Sequence, residues 1–260
     1  MTVFHFRLPA LLFGMLLLFA ACDKDDIADL DPTNTDDNTP TANQPDNPTP
    51  TFTDSDGALV AIQTVSYISQ PVVGVIETTI GLAVAAFPDG SGGNNAAGAI
   101  TCEGESLTQN SNNSYTYMID ANNATGISFS STVDWTVAGS GSIPAITKSV
   151  SGVFPSSLES GTASGSDVST GSAFTLSTTN PVSDADSLIF AVHGTSSSVL
   201  ITKEASQNTH TFSAADRGSI GTGVGFVQIT AYRIADTETN NGNKYYFINQ
   251  KVNTISVNFN

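Results

Sequence analysis

The strongest constraint on the fold is an alternation of apolar and polar residues with a period of two. Side chains of a β-strand point in turn to the two faces of a sheet, so this pattern predicts strands with one buried face. It recurs in SYTYMI (114–119), DSLIFAV (186–192) and TISVNFN (254–260), with turn residues rich in Gly, Asn, Pro and Asp between the runs. The clearest example is GISFSSTVDWTV. Its apolar residues all have odd numbers, the same parity, and so share one face of a strand: Ile127, Phe129, Val133, Trp135 and Val137.

The pattern predicts an all-β protein built from antiparallel, Ig-like β-sandwiches. The one convincing helix signal is SAAD at Ser213 to Asp216, a capping box preceded by Phe212, which predicts a single short turn of helix. A Ser- and Gly-rich passage at 156–172 lacks periodicity and is the best boundary. We therefore predict one β-sandwich domain at 57–155 and a second at 166–260. A single sandwich of roughly 200 residues is the alternative, since all-β domains reach that size.

The chain opens with an apolar segment, LPALLFGMLLLFAA (8–21), after Arg7. Its length matches the apolar part of a secretory signal peptide and is shorter than the roughly 18 residues needed to span a bilayer. The segment ends in two small residues and is followed at once by Cys22.

The run FAAC (19–22) resembles the lipobox of bacterial lipoproteins, although Phe19 stands where that family usually has Leu. The resemblance implies a signal peptide at 1–21 and a mature protein that begins at an acylated Cys22. Acyl chains anchor a protein in a membrane stably when more than one is present, as on a lipoprotein cysteine. An ordinary signal peptidase site of A-x-A type would use the same residues and is the alternative.

The tetrad after the cysteine, Asp23, Lys24, Asp25 and Asp26, resembles the acidic export signal of surface lipoproteins from Bacteroidetes-type bacteria. This resemblance implies an outer-membrane protein that faces the cell exterior. The alternative is that the tetrad simply begins a solvated tether. Residues 27–56 contain five prolines among Asn, Thr and Asp. They contain too few apolar groups to compensate for the conformational entropy lost when the backbone becomes ordered. We therefore expect a disordered tether from the lipidated cysteine to the fold, at 22–56.

The body contains the runs GAITCEGESLT, VDWTVAGSGSIPAI, GVFP, THTFSAADRGSIGTGVGFVQITAY and GNKYYFIN. These runs resemble those of uncharacterised lipoproteins of Bacteroidetes-type bacteria, which implies a secreted β-rich protein and no particular activity.

The charge balance excludes one class of partner. Lys and Arg number 8 against 24 Asp and Glu, giving a net charge of −16. This charge opposes a phosphate backbone, so we predict no nucleic-acid partner. The partners we expect are the membrane, through the acyl chains of Cys22, and a glycan or protein ligand.

No catalytic site is recognisable. A G-x-S-x-G nucleophile motif is absent, and His193 and His210 lie in strand-like runs that suit hydrogen-bonded or exposed histidines. Glu103 and Glu105 could flank a glycosidic bond, but Gly104 between them favours a hairpin turn. The histidines and thiols lack zinc spacing and no calcium loop is found, so we predict no catalytic residue, metal or cofactor.

Parity also assigns two residues to the core. Cys102 shares the parity of Ile100 and should be a buried, unpaired thiol, since Cys22 is committed to lipid. Trp135 shares the parity of Val133 and Val137, which favours packing over a role in stacking on sugars.

A ligand platform is predicted near the C-terminus. Asn241-Gly242 is a strong signal for a type I′ hairpin turn. With these two residues at the turn, Tyr232 lies opposite Lys251 and shares one face with Tyr245 and Phe247. The more apolar opposite face would be core, so Tyr232, Tyr245 and Phe247 are the ligand-binding candidates. The alternative is that their face packs against the first domain.

Together these features favour a lipid-anchored, non-catalytic β-sandwich protein at the cell surface, serving binding or adhesion within a glycan-uptake system. The alternatives are a secreted hydrolase with an unrecognised site and a structural component of the envelope.

Overall fold

The computed structural model describes residues 54–70, 74–117, 119 and 123–260. The predicted signal peptide, Cys22, the tetrad Asp23 to Asp26 and most of the tether lie outside these residues. The described chain forms strands β1 (Gly57–Gln70), β2 (Gly74–Ala86), β3 (Ile100–Cys102), β4 (Glu105–Ser106), β5 (Thr108–Gln109), β6 (Tyr115–Thr116), β7 (Thr132–Val137), β8 (Ile146–Ser151), β9 (Ser166–Val168), β10 (Phe174–Ser177), β11 (Ser187–His193), β12 (Ser198–Glu204), β13 (Thr209–Phe212), β14 (Gly223–Asn240) and β15 (Asn243–Phe259), with one helix, α1 (Ala214–Arg217). The predicted all-β class is confirmed.

One large sheet organises the molecule. Its strands follow the order β12-β11-β14-β15-β1-β2-β6-β5, and β9 also pairs with β15. A four-stranded sheet, β4-β3-β7-β8, and a two-stranded sheet, β10-β13, complete the architecture of the described residues. The pairings are antiparallel except at β15, where β1 and β9 pair in parallel. A long connection separates these strands along the chain, so no hairpin forces them to be antiparallel.

Two hydrophobic cores lie on the same face of the large sheet. Tyr245 and Phe247, at the start of β15, belong to a core that the four-stranded sheet covers through residues such as Trp135. Val257 and Phe259, at the end of β15, belong to a second core that includes Leu176 of the two-stranded sheet. These β15 residues share odd numbers and therefore one face of the strand. A third apolar cluster lies on the opposite face and contains Tyr246, Ile248, Val252, Ala58, Val60 and Ile62.

A buried polar belt separates the two cores. It consists of Asn249, Lys251 and Asn253, which continue the same parity of β15. The amide of Asn249 donates to the carbonyl oxygens of Ser151 (2.6 Å) and Val153 (3.0 Å). Buried polar groups carry a free-energy cost unless they are hydrogen-bonded, and the Nδ2 group of Asn249 is satisfied by main-chain carbonyls at the end of β8 and just after it.

The crossing segment, residues 152–158, connects the two predicted domains. Asn253 Nδ2 donates to the Leu158 carbonyl at 2.9 Å, and the Tyr67 hydroxyl accepts from the Leu158 N–H at 2.8 Å. Strands from both sides of the crossing segment belong to the large sheet, and β15 pairs with β1 and with β9. The division into two domains at 57–155 and 166–260 is therefore not confirmed, because the two cores share one sheet.

Local turn and capping signals are confirmed. Asn241 (φ 54°) and Gly242 (φ 88°) form the hairpin turn between β14 and β15. Glu103 (φ 53°) and Gly104 (φ 80°) form another between β3 and β4. Positive φ at both central residues is the requirement of a type I′ turn.

The predicted short helix is also present. Its N-cap is Ser213, whose side chain accepts from the N–H of Asp216, while the Asp216 side chain accepts from the Ser213 N–H. Phe212 is fully buried beside it.

The tether ends earlier than its predicted boundary at residue 56. Asp56 accepts a hydrogen bond from the Lys244 N–H at 2.7 Å and returns one from its own N–H to the Lys244 carbonyl at 2.8 Å. Asp54 forms an ion pair with Lys244 Nζ (2.6 Å) and accepts from the Tyr246 hydroxyl (2.8 Å). These contacts join residues 54–56 to the start of β15, so they belong to the fold.

Candidate functional site

The predicted aromatic platform does not form, because β14 contains a β-bulge. The register between β14 and β15 shifts between Ile234 and Asp236, leaving Ala235 as the extra residue. Tyr232 consequently lies opposite Gln250 and not opposite Lys251. A shift of one residue moves a strand's side chains to the other face. Tyr232 therefore packs against the third apolar cluster, on the face opposite Tyr245 and Phe247.

Tyr245 and Phe247 are themselves unable to meet a ligand in this structure. Both are 0% exposed and lie in the first core, where the Tyr245 ring makes an edge contact with Phe87 at 6.1 Å between centroids. The face that was predicted to be external packs beneath the four-stranded sheet, which is the alternative considered above. The apolar set predicted as one core face is split by the same bulge, so that Val227 faces the second core and Tyr246 the third cluster.

The remaining residues considered from the sequence have structural roles. Glu103 Oε1 accepts from the Asp134 N–H at 2.8 Å, which commits this carboxylate to the hairpin, and Glu105 is exposed. Cys102 is buried and free of a disulfide, as predicted, and burial raises the pKa of its thiol. Trp135 is buried in the first core, as predicted.

His210 lies in β13 with its ring edge-on to Phe212, 4.6 Å between centroids. Burial and the nearby Lys203 lower its pKa. Packing of the imidazole against the Phe212 ring therefore explains why His210 lies at this position.

A histidine and a serine side chain come within hydrogen-bond distance where β11 ends and β12 begins. His193 Nδ1 and Ser198 Oγ lie 2.8 Å apart. His193 is 4% exposed, whereas Ser198 is half-buried. The two residues are opposite each other in the antiparallel pair. The sequence alone identifies no partner for His193.

A glutamine also lies near the imidazole. Gln228 is on the neighbouring strand β14, opposite Ala191, and donates from Nε2 to Thr254 Oγ1 at 3.0 Å. Its Oε1 and the Nε2 of His193 are both buried without a hydrogen-bond partner among the described residues. The pKa of His193 is lowered to about 4, chiefly by burial, and the glutamine amide opposes that shift. The imidazole is therefore neutral at pH 7.

Two connecting segments lie at the end of the sheet where His193 and Ser198 meet: residues 194–197, and residues 219–224, the last two of which begin β14. We call these two segments the far loops. Ser196 N–H donates to the Ile220 carbonyl (2.9 Å), Thr195 Oγ1 to the Thr222 carbonyl (3.1 Å) and Ser197 Oγ to the Ser219 carbonyl (2.9 Å). The loops contain no charged residue, in a chain with a net charge of −16. Within them Val224 is 65% exposed, the most exposed large apolar side chain of the described residues.

Within the described ranges, no group of three or more His, Cys, Asp or Glu side chains could hold a metal ion. In the same part of the chain, no helix is long and apolar enough to cross a membrane. Comparison with known proteins adds no assignment: no protein-family model matches the chain, and no curated protein matches it in sequence.

Proposed function

We propose that this protein is a lipid-anchored surface protein whose β-rich body presents a binding surface at the far loops. The anchor is Cys22, with Asp23 to Asp26 as the export signal, and the body serves as a binding or adhesion module. This proposal combines the resemblance of FAAC and DKDD to lipoprotein signals with one structural observation, the place where the tether joins the sheet.

The tether joins the sheet at one end of its longest strands. Asp54 and Asp56 bind Lys244 and Tyr246 at the start of β15. The Lys244 side chain holds the pKa of Asp54 below its usual value, mainly through their hydrogen bond. From Tyr245, which pairs with Gly57, β15 extends to Asn258, which pairs with Val224. Thirteen residues at about 3.3 Å each place Val224 about 43 Å along the strand from the tether.

The far loops suit a binding surface because their shape is fixed before a ligand arrives. Three hydrogen bonds join them, and a Cβ on Gly194 would lie 2.1 Å from the Ile220 carbonyl oxygen. A rigid surface loses little entropy on binding. The absence of charge favours an uncharged ligand over an ionic one, and the exposed Val224 offers apolar contact.

A location experiment tests the anchor. In cells that produce the full chain, replacing Asp23, Lys24, Asp25 and Asp26 with alanine should leave lipidation intact and reduce cleavage by external protease. Cys22→Ser should release the protein from the membrane fraction. Unchanged location in the cysteine variant would refute the anchor, and unchanged protease access in the tetrad variant would assign export to another signal.

A binding experiment tests the surface. The mature protein is applied to arrays of glycans and of surface proteins, and any ligand found is measured with Val224→Asp and with Ile76→Asp. Ile76 is 44% exposed on β2 and lies outside the far loops, so it is the matched control. We expect binding to fall at least tenfold in the Val224 variant alone. Equal loss in both variants, or loss in neither, would contradict this surface.

A further inference from the structure

We propose that Ser198 is a nucleophile activated by His193 and that it accepts an acyl group from an ester or a similarly activated acyl compound. This activity goes beyond the proposed binding function, and it gives the hydrolase alternative a specific site. The observation that carries it is the contact of 2.8 Å between Ser198 Oγ and His193 Nδ1. Nucleophile and base within hydrogen-bond reach are the first geometric requirement of serine catalysis.

The neighbouring glutamine selects the required tautomer. When Ser198 donates its hydroxyl proton to Nδ1, the other ring nitrogen, Nε2, carries hydrogen. That nitrogen and Gln228 Oε1 are both buried and without a partner among the described residues, and the amide lies near enough to raise the pKa of the imidazole. Gln228 is in turn held by Thr254. Gln228 is thus a positioning residue that favours an imidazole with an unprotonated Nδ1 facing the serine.

The strand pairing gives Ser198 access to a substrate. Gly194 N–H donates to the Ser197 carbonyl at 3.0 Å, so these residues form a hydrogen-bonded pair of the ladder. The next pair, His193 and Ser198, is therefore a non-hydrogen-bonded pair, in which side chains approach closely and main-chain groups point away from the partner strand. No described strand pairs with the outer edge of β12. The Ser198 N–H thus points to an open edge, where it can donate to a carbonyl oxygen that becomes negatively charged.

The reaction needs only Ser198, His193 and water. Ser198 Oγ forms a bond to the acyl carbon while its proton passes to His193 Nδ1 and the carbonyl π electrons move to oxygen. The C=O bond reforms as the bond to the alkoxide breaks, and the alkoxide takes the proton from Nδ1. Water then attacks the acyl-serine with the same base, releasing a carboxylic acid and restoring Ser198. A neutral imidazole with a low pKa is a weak base, so good leaving groups such as nitrophenolate are favoured.

A fluorophosphonate probe tests the proposal on the full mature protein extracted from membranes with detergent. We expect one stoichiometric adduct, located at Ser198 by peptide mass spectrometry, and its loss in Ser198→Ala. The matched control is Ser206→Ala, because Ser206 is exposed beyond the other end of β12 and should leave labelling unchanged. No adduct on the folded protein, an adduct that survives Ser198→Ala, or equal labelling after denaturation would each overturn the assignment.

The pH profile separates a base from a purely structural histidine. Labelling of the natural protein should be constant from about pH 5.5 to 8, because the imidazole is already neutral there. Gln228→Glu places a carboxylate beside Nε2 and should move the midpoint of the profile upward by about one pH unit or more. Gln228→Leu, which keeps the size of the side chain, should slow labelling at least tenfold. Labelling rates that are the same in all three proteins at every pH would contradict the role of His193 as base.

Discussion

Asn253 and Leu158, 95 residues apart in the chain, are joined by a buried hydrogen bond of 2.9 Å from Asn253 Nδ2 to the Leu158 carbonyl oxygen. This bond and those of Asn249 attach the crossing segment to the middle of β15, between the two cores. The two cores are thus coupled through strands that they share in the large sheet and through the polar belt on β15.

Removing this hydrogen bond should destabilise the whole body. Asn253→Ala leaves the buried Leu158 carbonyl without its donor, and we expect the free energy of unfolding to fall by about 1 to 3 kcal/mol. Asn258→Ala is the matched control, since Asn258 lies on the same strand but is exposed, with a bond of 3.4 Å to the Gly165 carbonyl. Urea unfolding measures both. If Asn253→Ala separates unfolding into two transitions, the halves are less coupled than the shared strand implies.

A second prediction concerns the close contact between Gly81 and the chain near Gly126. Gly81 N–H donates to the Thr125 carbonyl, its own carbonyl accepts from Ile127, and a Cβ on Gly81 would lie 1.8 Å from the Ile127 carbonyl oxygen. Gly81→Ala should cost about 3 kcal/mol or more because backbone must move. Gly161→Ala, in open space, should be nearly neutral in the same thermal melt. Similar melting temperatures for the two variants would rule out this contact.

The third prediction follows from the bulge in β14. Tyr245→Ala removes a fully buried ring from the first core and should lower the free energy of unfolding by about 3 to 5 kcal/mol. Tyr232→Ala removes a half-buried ring on the opposite face and should cost less, about 1 kcal/mol. Chemical denaturation of the two variants compares them. Equal small losses of unfolding free energy in the two variants would instead support a register without the bulge and an aromatic platform on the outer face.

Stability should depend on pH through His193. Its pKa is about 4 in the folded protein and about 6.5 when unfolded, so the unfolded chain binds the extra proton first as the pH falls. The stabilising contribution is complete above pH 6.5 and is lost between pH 6.5 and 4, by up to about 3 kcal/mol. His193→Gln should flatten that part of the profile, measured by urea unfolding at several pH values. An unchanged slope in the variant would show that other groups cause the loss.

The sequence was sufficient where the determining interactions are local. Asn241-Gly242 and Glu103-Gly104 form the predicted turns because Gly, and Asn more readily than most residues, can adopt positive φ, and Ser213 with Asp216 completes a capping box within four residues. Parity placed Cys102 and Trp135 correctly in the core for the same reason. The extra residue Ala235 carries no local signal, since a bulge depends on how β14 packs against other strands, and the platform prediction failed there.

The long-range strand pairings could not be predicted from the sequence either. That β1 and β9 both pair with β15 follows from packing across most of the chain, so the sequence did not show that strands on both sides of the Ser- and Gly-rich passage share one sheet. The pair His193 and Ser198 was within reach of the sequence, because a two-residue turn at Thr195-Ser196 places them opposite each other. That turn lacks the Asn-Gly signal that identified the hairpin at Asn241.

The central functional claim is that the body is anchored through Cys22, and the mature N-terminus tests it most directly. Mass spectrometry of the N-terminal peptide from the membrane fraction should find a chain that begins at Cys22 and carries a diacylglyceryl group on its sulfur. A mature chain that begins at another residue, or an unmodified Cys22 in a protein recovered from the soluble fraction, would contradict the account.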